Sequence, residues 1–367
     1  MENSLPAAEP DQSSVADLLS FRLNPISEVM GNWKPANFLI KHYLPSDSIT
    51  CIFAPPGVGK TFMALDIGCH IAAGKDWHGH KIRKPKAVIL IAGEGHSGLP
   101  TRFLAWATHN KLELDADIPF YISGCAAQFS EIESAAEAST EVHRIMSEYN
   151  LDIGLIIVDT WSRNFGPGNE SEARDTNQVI TNIDLYLRKR FSTSVLIVHH
   201  TGHSNQDRAR GSSVFDAALD CSYKLEKVSD DQIRLTNTKM KDAEPPAPLT
   251  FEMNPIELEW CDDEGVPLSS IALTLTDSSP HNESKGLGRN QQAMLDLLRN
   301  MHQDMRDSLP DGASDNTLIE VRQWREHAID MNVLTGKYVR QDFQKIKSSL
   351  SGRGLIRIEG VYVYVEV

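Results

Sequence analysis

The chain of 367 residues carries 50 acidic and 36 basic side chains, and its net charge of −14 excludes a surface coated throughout for nucleic acid. Its hydrophobic fraction is 41%, yet no run of about 18 apolar residues occurs, which excludes a membrane-spanning helix. Five cysteines without a Cys-x-x-Cys pair indicate reduced thiols, so we expect a cytoplasmic protein of about two domains.

The first 21 residues combine Pro, Ser, Ala and acidic residues with few large apolar groups. They offer too little apolar surface to offset the entropy of folding, so residues 1–21 are predicted to be disordered. From residue 22 to 275, short apolar runs such as 87–91, 155–158 and 194–198 alternate with helical patterns. Strands that are apolar throughout are typical of sheets covered on both faces, which predicts an α/β domain with a mostly parallel sheet.

Residues 54–61 are Ala-Pro-Pro-Gly-Val-Gly-Lys-Thr, between an apolar run that predicts a strand and a run that predicts a helix. This context indicates a phosphate-binding loop, whose backbone N–H groups surround a phosphate at a helix N-terminus. We expect Lys60 to reach the β- and γ-phosphates of ATP and Thr61 to place its hydroxyl on Mg²⁺. The predicted nucleotide-binding residues of this loop are Pro56, Gly57, Val58, Gly59, Lys60, Thr61 and Phe62.

Two acidic residues follow two of the predicted strands. Glu94 stands between glycines after the strand at 87–91, and Asp159 ends the strand at 155–158. An open α/β sheet binds its ligands at the carboxyl ends of its strands. Glu94 is therefore a candidate general base for the attacking water, and Asp159 is a candidate for the metal shell. The alternative for Glu94 is a loop carboxylate that caps the next helix.

The segment 161–170 combines Arg163 with the aromatic residues Trp161 and Phe165 and with two glycines. Aromatic side chains in a basic groove hold single-stranded DNA by stacking, without sequence preference. Arg163 and Phe165 are therefore candidate DNA-binding residues. The alternative is a loop whose aromatic side chains pack back on the core.

Adjacent histidines, His199 and His200, end the strand at 194–198. Consecutive strand residues point to opposite faces, which makes them a poor pair of zinc ligands. We favour His200 as a hydrogen-bonding sensor of the γ-phosphate, with a structural histidine as the alternative.

Basic residues follow in the next two loops. Arg210 is always charged and planar, which suits a γ-phosphate, and its distance along the chain from residues 54–61 predicts that it serves a neighbouring subunit. Lys239 and Lys241, beyond the strand predicted at 232–236, are a second candidate contact to a neighbour's nucleotide. The alternative for Arg210 and for both lysines is a solvated surface charge.

The order of these motifs resembles the RecA-like ATPases of the RepA type, which are hexameric replicative helicases of plasmids and phages. The resemblance covers roughly residues 30–250 and rests on 54–61, Glu94, Asp159, His199-His200-Thr201, Arg210-Gly211-Ser212-Ser213 and Lys239-Met240-Lys241. It implies a RecA-like sheet flanked by helices, Mg²⁺-dependent ATP hydrolysis with Glu94 as base, and Arg210 as an arginine finger in trans. It also implies that the loops after Asp159 and His200, the second with Arg208, line a central channel for single-stranded DNA.

Residues 276–287 are polar and carry Pro and Gly, which predicts a linker. Residues 288–367 predict three amphipathic helices followed by a hairpin with a two-residue turn at Glu359-Gly360, an arrangement that resembles a winged helix. Its third helix is basic, which suits a groove of duplex DNA. The candidate contacts are Arg340, Lys345 and Lys347. Protein docking is the alternative for this module.

Together these features predict an ATP-dependent helicase or translocase that moves on single-stranded DNA during replication of a mobile element. Two other functions fit the same motifs. One is an ATP-dependent DNA-binding regulator or helicase loader that does not unwind DNA. The other is a nucleotide-gated interaction scaffold.

Overall fold

The computed structural model describes residues 21, 23–32, 37–112, 118–202, 208–276, 289–307, 318–336, 339–352 and 355–365. The predicted disordered segment 1–21 lies outside these ranges except for Phe21, and the predicted linker 276–287 lies outside them except for Thr276. The chain divides into two compact units, Met1–Asp277 and Ser278–Val367.

The first unit alternates strands and helices along most of its length. In chain order its elements are α1 (Ile26–Asn32), β1 (Phe38–Ile40), β2 (Leu44–Pro45), β3 (Ile49–Ala54), α2 (Lys60–Ala73), β4 (Ala87–Ala92), α3 (Leu99–His109), β5 (Phe120–Ile122), α4 (Ile132–Glu148), β6 (Ile153–Asp159), α5 (Trp161–Asn164), α6 (Ala173–Ile183), β7 (Ser194–His200), α7 (Ser213–Ala218), β8 (Cys221–Lys227), β9 (Gln232–Met240), β10 (Leu249–Cys261) and β11 (Pro267–Leu275).

A nine-stranded sheet organises this unit, in the order β11-β10-β9-β8-β3-β7-β6-β4-β5. From β8 to β5 every neighbouring pair is parallel. Strands β9, β10 and β11 extend the sheet beyond β8 as an antiparallel meander. The predicted α/β fold with a mostly parallel sheet is therefore confirmed.

Apolar cores cover both faces of the sheet because successive strand residues point to opposite sides. In β3, Ile52 joins the core beneath α2, whereas Cys51 and Phe53 join the core beneath α4 and α6. Helix α2 lies very close to the sheet at Gly68, where an added Cβ would come within 2.8 Å of Phe120 and 2.9 Å of Ile157. This close contact holds the helix that follows the phosphate loop firmly against the strands.

The second unit contains α8 (Arg289–Asp307), β12 (Ile319–Glu320), α9 (Val321–Asp330), α10 (Val339–Gly352), β13 (Ile356–Glu359) and β14 (Tyr362–Val365). Its three strands form a sheet in the order β12-β14-β13, and its three helices share a core with Trp324 and Phe343 at the centre. This order of elements is typical of a winged helix. The hairpin turn is shifted by one residue from the prediction, because Glu359 still pairs with Tyr362 and Gly360 supplies the positive φ of 62°.

Within the described ranges, none of the helices combines the length and the apolar character that a bilayer crossing requires.

Candidate active site

The candidate site lies at the carboxyl edge of four adjacent strands. Register pairs Ala54 with His200 and Asp159 with both Val198 and Ala92, so β3, β7, β6 and β4 end side by side. This is the edge at which open parallel sheets bind their ligands. Residues separated by more than a hundred positions in sequence thus meet in one place.

The phosphate loop connects β3 to α2 through two glycines with left-handed backbone conformations. Gly57 has a φ of 76° and Gly59 a φ of 104°, which a side chain would disfavour. Gly59 is the N-cap of α2 and provides no side chain to accept from the first-turn N–H groups. These donors are therefore left for an anion, as in other phosphate loops.

The side chain of Lys60 folds back over the phosphate loop towards the end of β3. Its buried Nζ donates to the carbonyl oxygens of Ala54 and Pro55, both at 3.0 Å, and stands 3.1 Å from Nδ1 of His200. Burial lowers the pKa of Lys60 to about 8, and the nearby carboxylates of Asp159 and Glu94 act in the opposite direction. The amine is thus held at the point where the loop would enclose a phosphate.

Thr61 and Asp159 are joined across the strand ends. The Thr61 hydroxyl donates to Oδ2 of Asp159 at 2.7 Å, while the buried Oδ1 has no hydrogen-bond partner among the described residues. Burial raises the pKa of Asp159, and the hydrogen bond from Thr61 lowers it. A hydroxyl beside an unsatisfied carboxylate oxygen is an all-oxygen donor set, which fits Mg²⁺.

Glu94 stands in the turn after β4, facing the same site. Its carboxylate raises the pKa of Lys60, Asp159 and His200, so it lies within electrostatic range of all three. Its Oε2 accepts from Nε of Arg163 at 3.1 Å, and both side chains are exposed. Glu94 is thus available at the surface of the site and paired with a residue of the next loop.

The turn that carries Glu94 lies directly against α5. An added Cβ on Gly93 would stand 2.3 Å from Cβ of Arg163, and the Gly93 N–H donates to the Asp159 carbonyl at 2.7 Å. Only glycine permits this approach. The close approach of the two backbones brings the Arg163 guanidinium to Glu94.

The two histidines of β7 have different environments. His199 is fully buried; its Nδ1 accepts from the His200 N–H at 2.8 Å, so its Nε2 carries the proton and donates to the Arg210 carbonyl at 2.9 Å. Burial lowers the pKa of His199 to about 3, which keeps it neutral. His200 is only partly buried and contacts Lys60, and burial together with the Lys60 charge lowers its pKa. His200 is thus the histidine that faces the phosphate loop.

Arg210 is tied to the loop that follows Asp159. Its backbone N–H donates to the His200 carbonyl at 2.8 Å, and its exposed guanidinium pairs with Glu170 at 2.9 Å. The N–H of Ser212 donates to the Glu170 carbonyl at 3.1 Å, so the two loops form one surface. Arg208 is exposed on the same segment, whereas residues 203–207 of the predicted loop lie outside the described residues.

The structure contradicts the prediction that Phe165 stacks on DNA. Its ring is 3% exposed and packs edge-on against Trp161, with centroids 5.3 Å apart. Trp161, at the start of the four-residue helix α5, and Phe165, directly after this helix, both point inward. Of the two candidates in this loop, Arg163 alone reaches solvent.

Lys239 and Lys241 lie away from the phosphate loop of their own subunit. Lys239 pairs with Ser222 near the start of β8, which is in register with Cys51 of β3, roughly 10 Å along the strand from its carboxyl end at Ala54. Lys239 Nζ donates to the carbonyls of Asp216 and Ala217, and Lys241 pairs with Asp220 at 3.1 Å. Any contact of these lysines with nucleotide would have to be made to a neighbouring subunit.

Glu170 and the pairing of Arg163 with Glu94 were not predicted from the sequence. An acidic residue in a loop expected to bind DNA was the available signal for Glu170. No sequence pattern predicts the ion pair between Arg163 and Glu94, because this pair depends on the close approach of Gly93 to Arg163.

Residues 16–206, just over half of the chain, match the family model of an AAA domain, AAA_25. The matched segment includes the phosphate loop, Glu94, Asp159 and His200, and it ends before Arg210. A comparison with curated proteins found no match.

We expect the affinity for ATP with Mg²⁺ to fall as the pH rises through about 8, because Lys60 of the free protein then loses its charge. A bound phosphate favours charged Lys60, so binding takes up a proton above that pH, and affinity should fall by up to about tenfold per pH unit. Calorimetric titrations between neutral and alkaline pH measure this slope. Lys60→Arg, whose guanidinium stays charged, is the control, and equal slopes in both proteins would contradict the assignment.

Proposed function

The chain belongs to the AAA domain family, whose members are P-loop ATPase-like, and on that premise we propose that it is a Mg²⁺-dependent ATPase acting as a RepA-type DNA helicase or translocase. The observation that carries the ATPase proposal is the convergence of Lys60, the Thr61–Asp159 pair with its unsatisfied oxygen, and Glu94 at one sheet edge. Replication of a mobile element is the process that the motif order favours.

In the proposed reaction the loop N–H groups and Lys60 hold the phosphates of ATP, and Thr61 and Asp159 hold the metal. Mg²⁺, when bound, neutralises charge on the phosphate oxygens. Glu94 orients the attacking water and accepts its proton, in a turn that leaves its carboxylate exposed. His200, in contact with Lys60 and with the backbone of Arg210, senses whether a γ-phosphate is present.

The contact between Arg163 and Glu94 supports a coupling of DNA binding to hydrolysis. Arg163 lies in the loop that the resemblance assigns to the channel, and its guanidinium holds the proposed base at 3.1 Å. A DNA phosphate competes for the same guanidinium, since Arg recognises phosphate and carboxylate alike. Strand binding would then release Glu94 to act on water.

We assign Arg210 to the active site of a neighbouring subunit within a homo-oligomeric ring, which we take to be a hexamer. Its guanidinium is exposed and its only ion pair among the described residues is with Glu170 of the same chain. An arginine supplied across an interface neutralises charge that develops in the transition state. For this role the Arg210 guanidinium must leave Glu170 and pair with a phosphate of the neighbouring subunit's nucleotide.

We further propose that the second unit binds duplex DNA through α10. Arg340 and Lys345 are exposed and Lys347 is partly exposed; Lys345 lies away from the buried Phe343, Ile346 and Leu350, and Arg340 and Lys347 flank that buried stripe. A basic helix of this kind suits the major groove of duplex DNA. A helicase loader or regulator would use the same surface, so strand displacement is the activity that distinguishes the helicase.

Replacement of Glu94 by Gln should lower ATP turnover by about 10² to 10⁴-fold while leaving ATP binding intact, because it removes a proton acceptor and preserves the side-chain shape. Phosphate release and calorimetric binding are the two measurements. Glu133→Gln, at an exposed position on α4, is the matched control. Turnover by Glu94→Gln at the wild-type rate would show that another group is the base.

Mixtures of Lys60→Ala and Arg210→Ala subunits should recover part of the ATPase activity that each variant lacks alone. An interface that combines an intact phosphate loop with a neighbour's Arg210 is complete, and such an arginine contributes on the order of 10³ to 10⁵-fold to the rate. Turnover is measured after subunit exchange, and exchange is checked with labelled chains. Activity that stays at background in fully exchanged mixtures would mean that the site is not shared.

The double substitution Lys345→Ala and Lys347→Ala should weaken duplex binding and reduce its salt dependence by roughly one unit of slope per lost phosphate contact. Stimulation of turnover by single-stranded DNA should persist, because it depends on the channel loops. Arg299→Ala, exposed on α8 of the same unit, is the control. Unchanged duplex affinity in the double variant would favour protein docking as the role of this unit.

A further inference from the structure

A second polar cluster lies beneath the phosphate loop and takes no part in the proposed hydrolysis. Asp66 and His70 are one turn apart on α2, and His78 follows in the loop after that helix. Nε2 of His78 stands 2.9 Å from Oδ2 of Asp66, and Nε2 of His70 stands 3.5 Å from Oδ1. The three side chains are almost entirely buried.

The cluster contains a buried negative charge. Both oxygens of Asp66 accept hydrogen bonds from indole N–H groups, at 2.7 Å and 3.1 Å, as a carboxylate does. Among the described residues, no lysine or arginine forms an ion pair with it. A carboxylate in an apolar interior requires a compensating cation. Among the described residues, the two histidines beside it could hold a metal ion that supplies this cation.

The donor atoms lie close enough together to share one metal ion. Each of the three residues offers one ligand atom, and these atoms lie within 4.8 Å of one another. Zinc bound to His and Asp at about 2.0–2.2 Å in a tetrahedron keeps its ligand atoms roughly 3.3 Å apart. The 2.9 Å from His78 Nε2 to Oδ2 and the 3.5 Å from His70 Nε2 to Oδ1 run to different carboxylate oxygens, and each lies within about 0.4 Å of this value.

The surroundings orient the carboxylate without competing for a metal. Trp77 Nε1 donates to Oδ2 at 2.7 Å and Trp106 Nε1 donates to Oδ1 at 3.1 Å. An indole N–H can donate but cannot ligate, and hydrogen-bonded carboxylates are the usual second shell of zinc sites. The backbone of His78 has a positive φ of 46°, uncommon outside glycine, which directs its ring towards Asp66.

We propose that Asp66, His70 and His78 are three protein ligands of one Zn²⁺ ion per chain. Two imidazoles favour zinc over Mg²⁺ or Ca²⁺, which prefer oxygen ligands only. The ion would fasten α2 to the loop that carries His78 and, through Trp106, to α3. It would therefore stabilise the helix that presents Lys60 and Thr61, independently of whether the protein hydrolyses ATP.

The test uses the full chain without a histidine tag. Elemental analysis of the purified protein should find one zinc per chain, and after chelation Co²⁺ should give the absorption of a tetrahedral site that Zn²⁺ abolishes. His78→Ala should lose this spectrum, whereas His143→Ala, exposed on α4, should keep it. Trp106→Phe removes one second-shell donor and should weaken Co²⁺ binding by about 10 to 100-fold.

Should His78→Ala fail to fold, His78→Cys provides the decisive spectrum, because a thiolate ligand adds a sulfur-to-cobalt charge-transfer band. Appearance of this band identifies residue 78 as a ligand. The proposal is overturned if the wild-type chain binds neither zinc nor tetrahedral Co²⁺. It is also overturned if folded His78→Ala binds Co²⁺ as tightly as the wild type, or if folded His78→Cys shows no new band. The cluster would then be a hydrogen-bonded network held together by protons alone.

Discussion

Parallel pairing of β3, β7, β6 and β4 brings every element of the candidate site to one edge of the sheet. Strands β6 and β7 contribute their last residues, Asp159 and His200, and β3 and β4 contribute the loop or turn that follows them. The register is fixed by strands whose residues are buried on both faces, since a slip by one residue would exchange the two cores. The site therefore depends on hydrophobic packing far more than on attraction between its own charges.

Burial of opposite charges gives the site its electrostatic character. Lys60 and Asp159 are both shielded from water, and burial acts against the charged form of each. The backbone carbonyls that accept from Lys60, and the Thr61 hydroxyl that donates to Asp159, replace only part of the hydrogen bonds that water would make to these two charged groups. A polyphosphate with a divalent cation supplies charges of the complementary signs. Such a ligand relieves the cost of desolvation at both residues.

Sequence patterns predicted the parts of the structure that depend on local chemistry. The phosphate loop needs glycines at two left-handed positions, and strands covered on both faces need continuous apolar runs, so both were recognisable. The inward orientation of Phe165 was not recognisable from the sequence, because it depends on how α5 packs against β6. The position of Lys239 was not recognisable either, because it depends on where the antiparallel strand β9 ends relative to β3. Roles that require a neighbouring subunit or DNA, such as that of Arg210, remain predictions.

Asp66 illustrates a different limit. Its partners come from α2, from the loop after it and from α3, and two of them are the buried tryptophans Trp77 and Trp106. Only the folded chain reveals that the two indoles point their N–H groups at one carboxylate. Polar groups with dispersed partners are recognised in three dimensions because no sequence spacing defines them.

The close approach at Gly93 also has a mechanical meaning. The backbone of Gly93 lies so close to the side chain of Arg163 that not even a methyl group would fit between them, so there is no free space between the two segments. Two segments in such contact cannot move towards each other; a push on one displaces the other. The loop after β6 and the turn after β4 therefore move together, and the hydrogen bond from the Gly93 N–H to the Asp159 carbonyl holds them at a fixed distance.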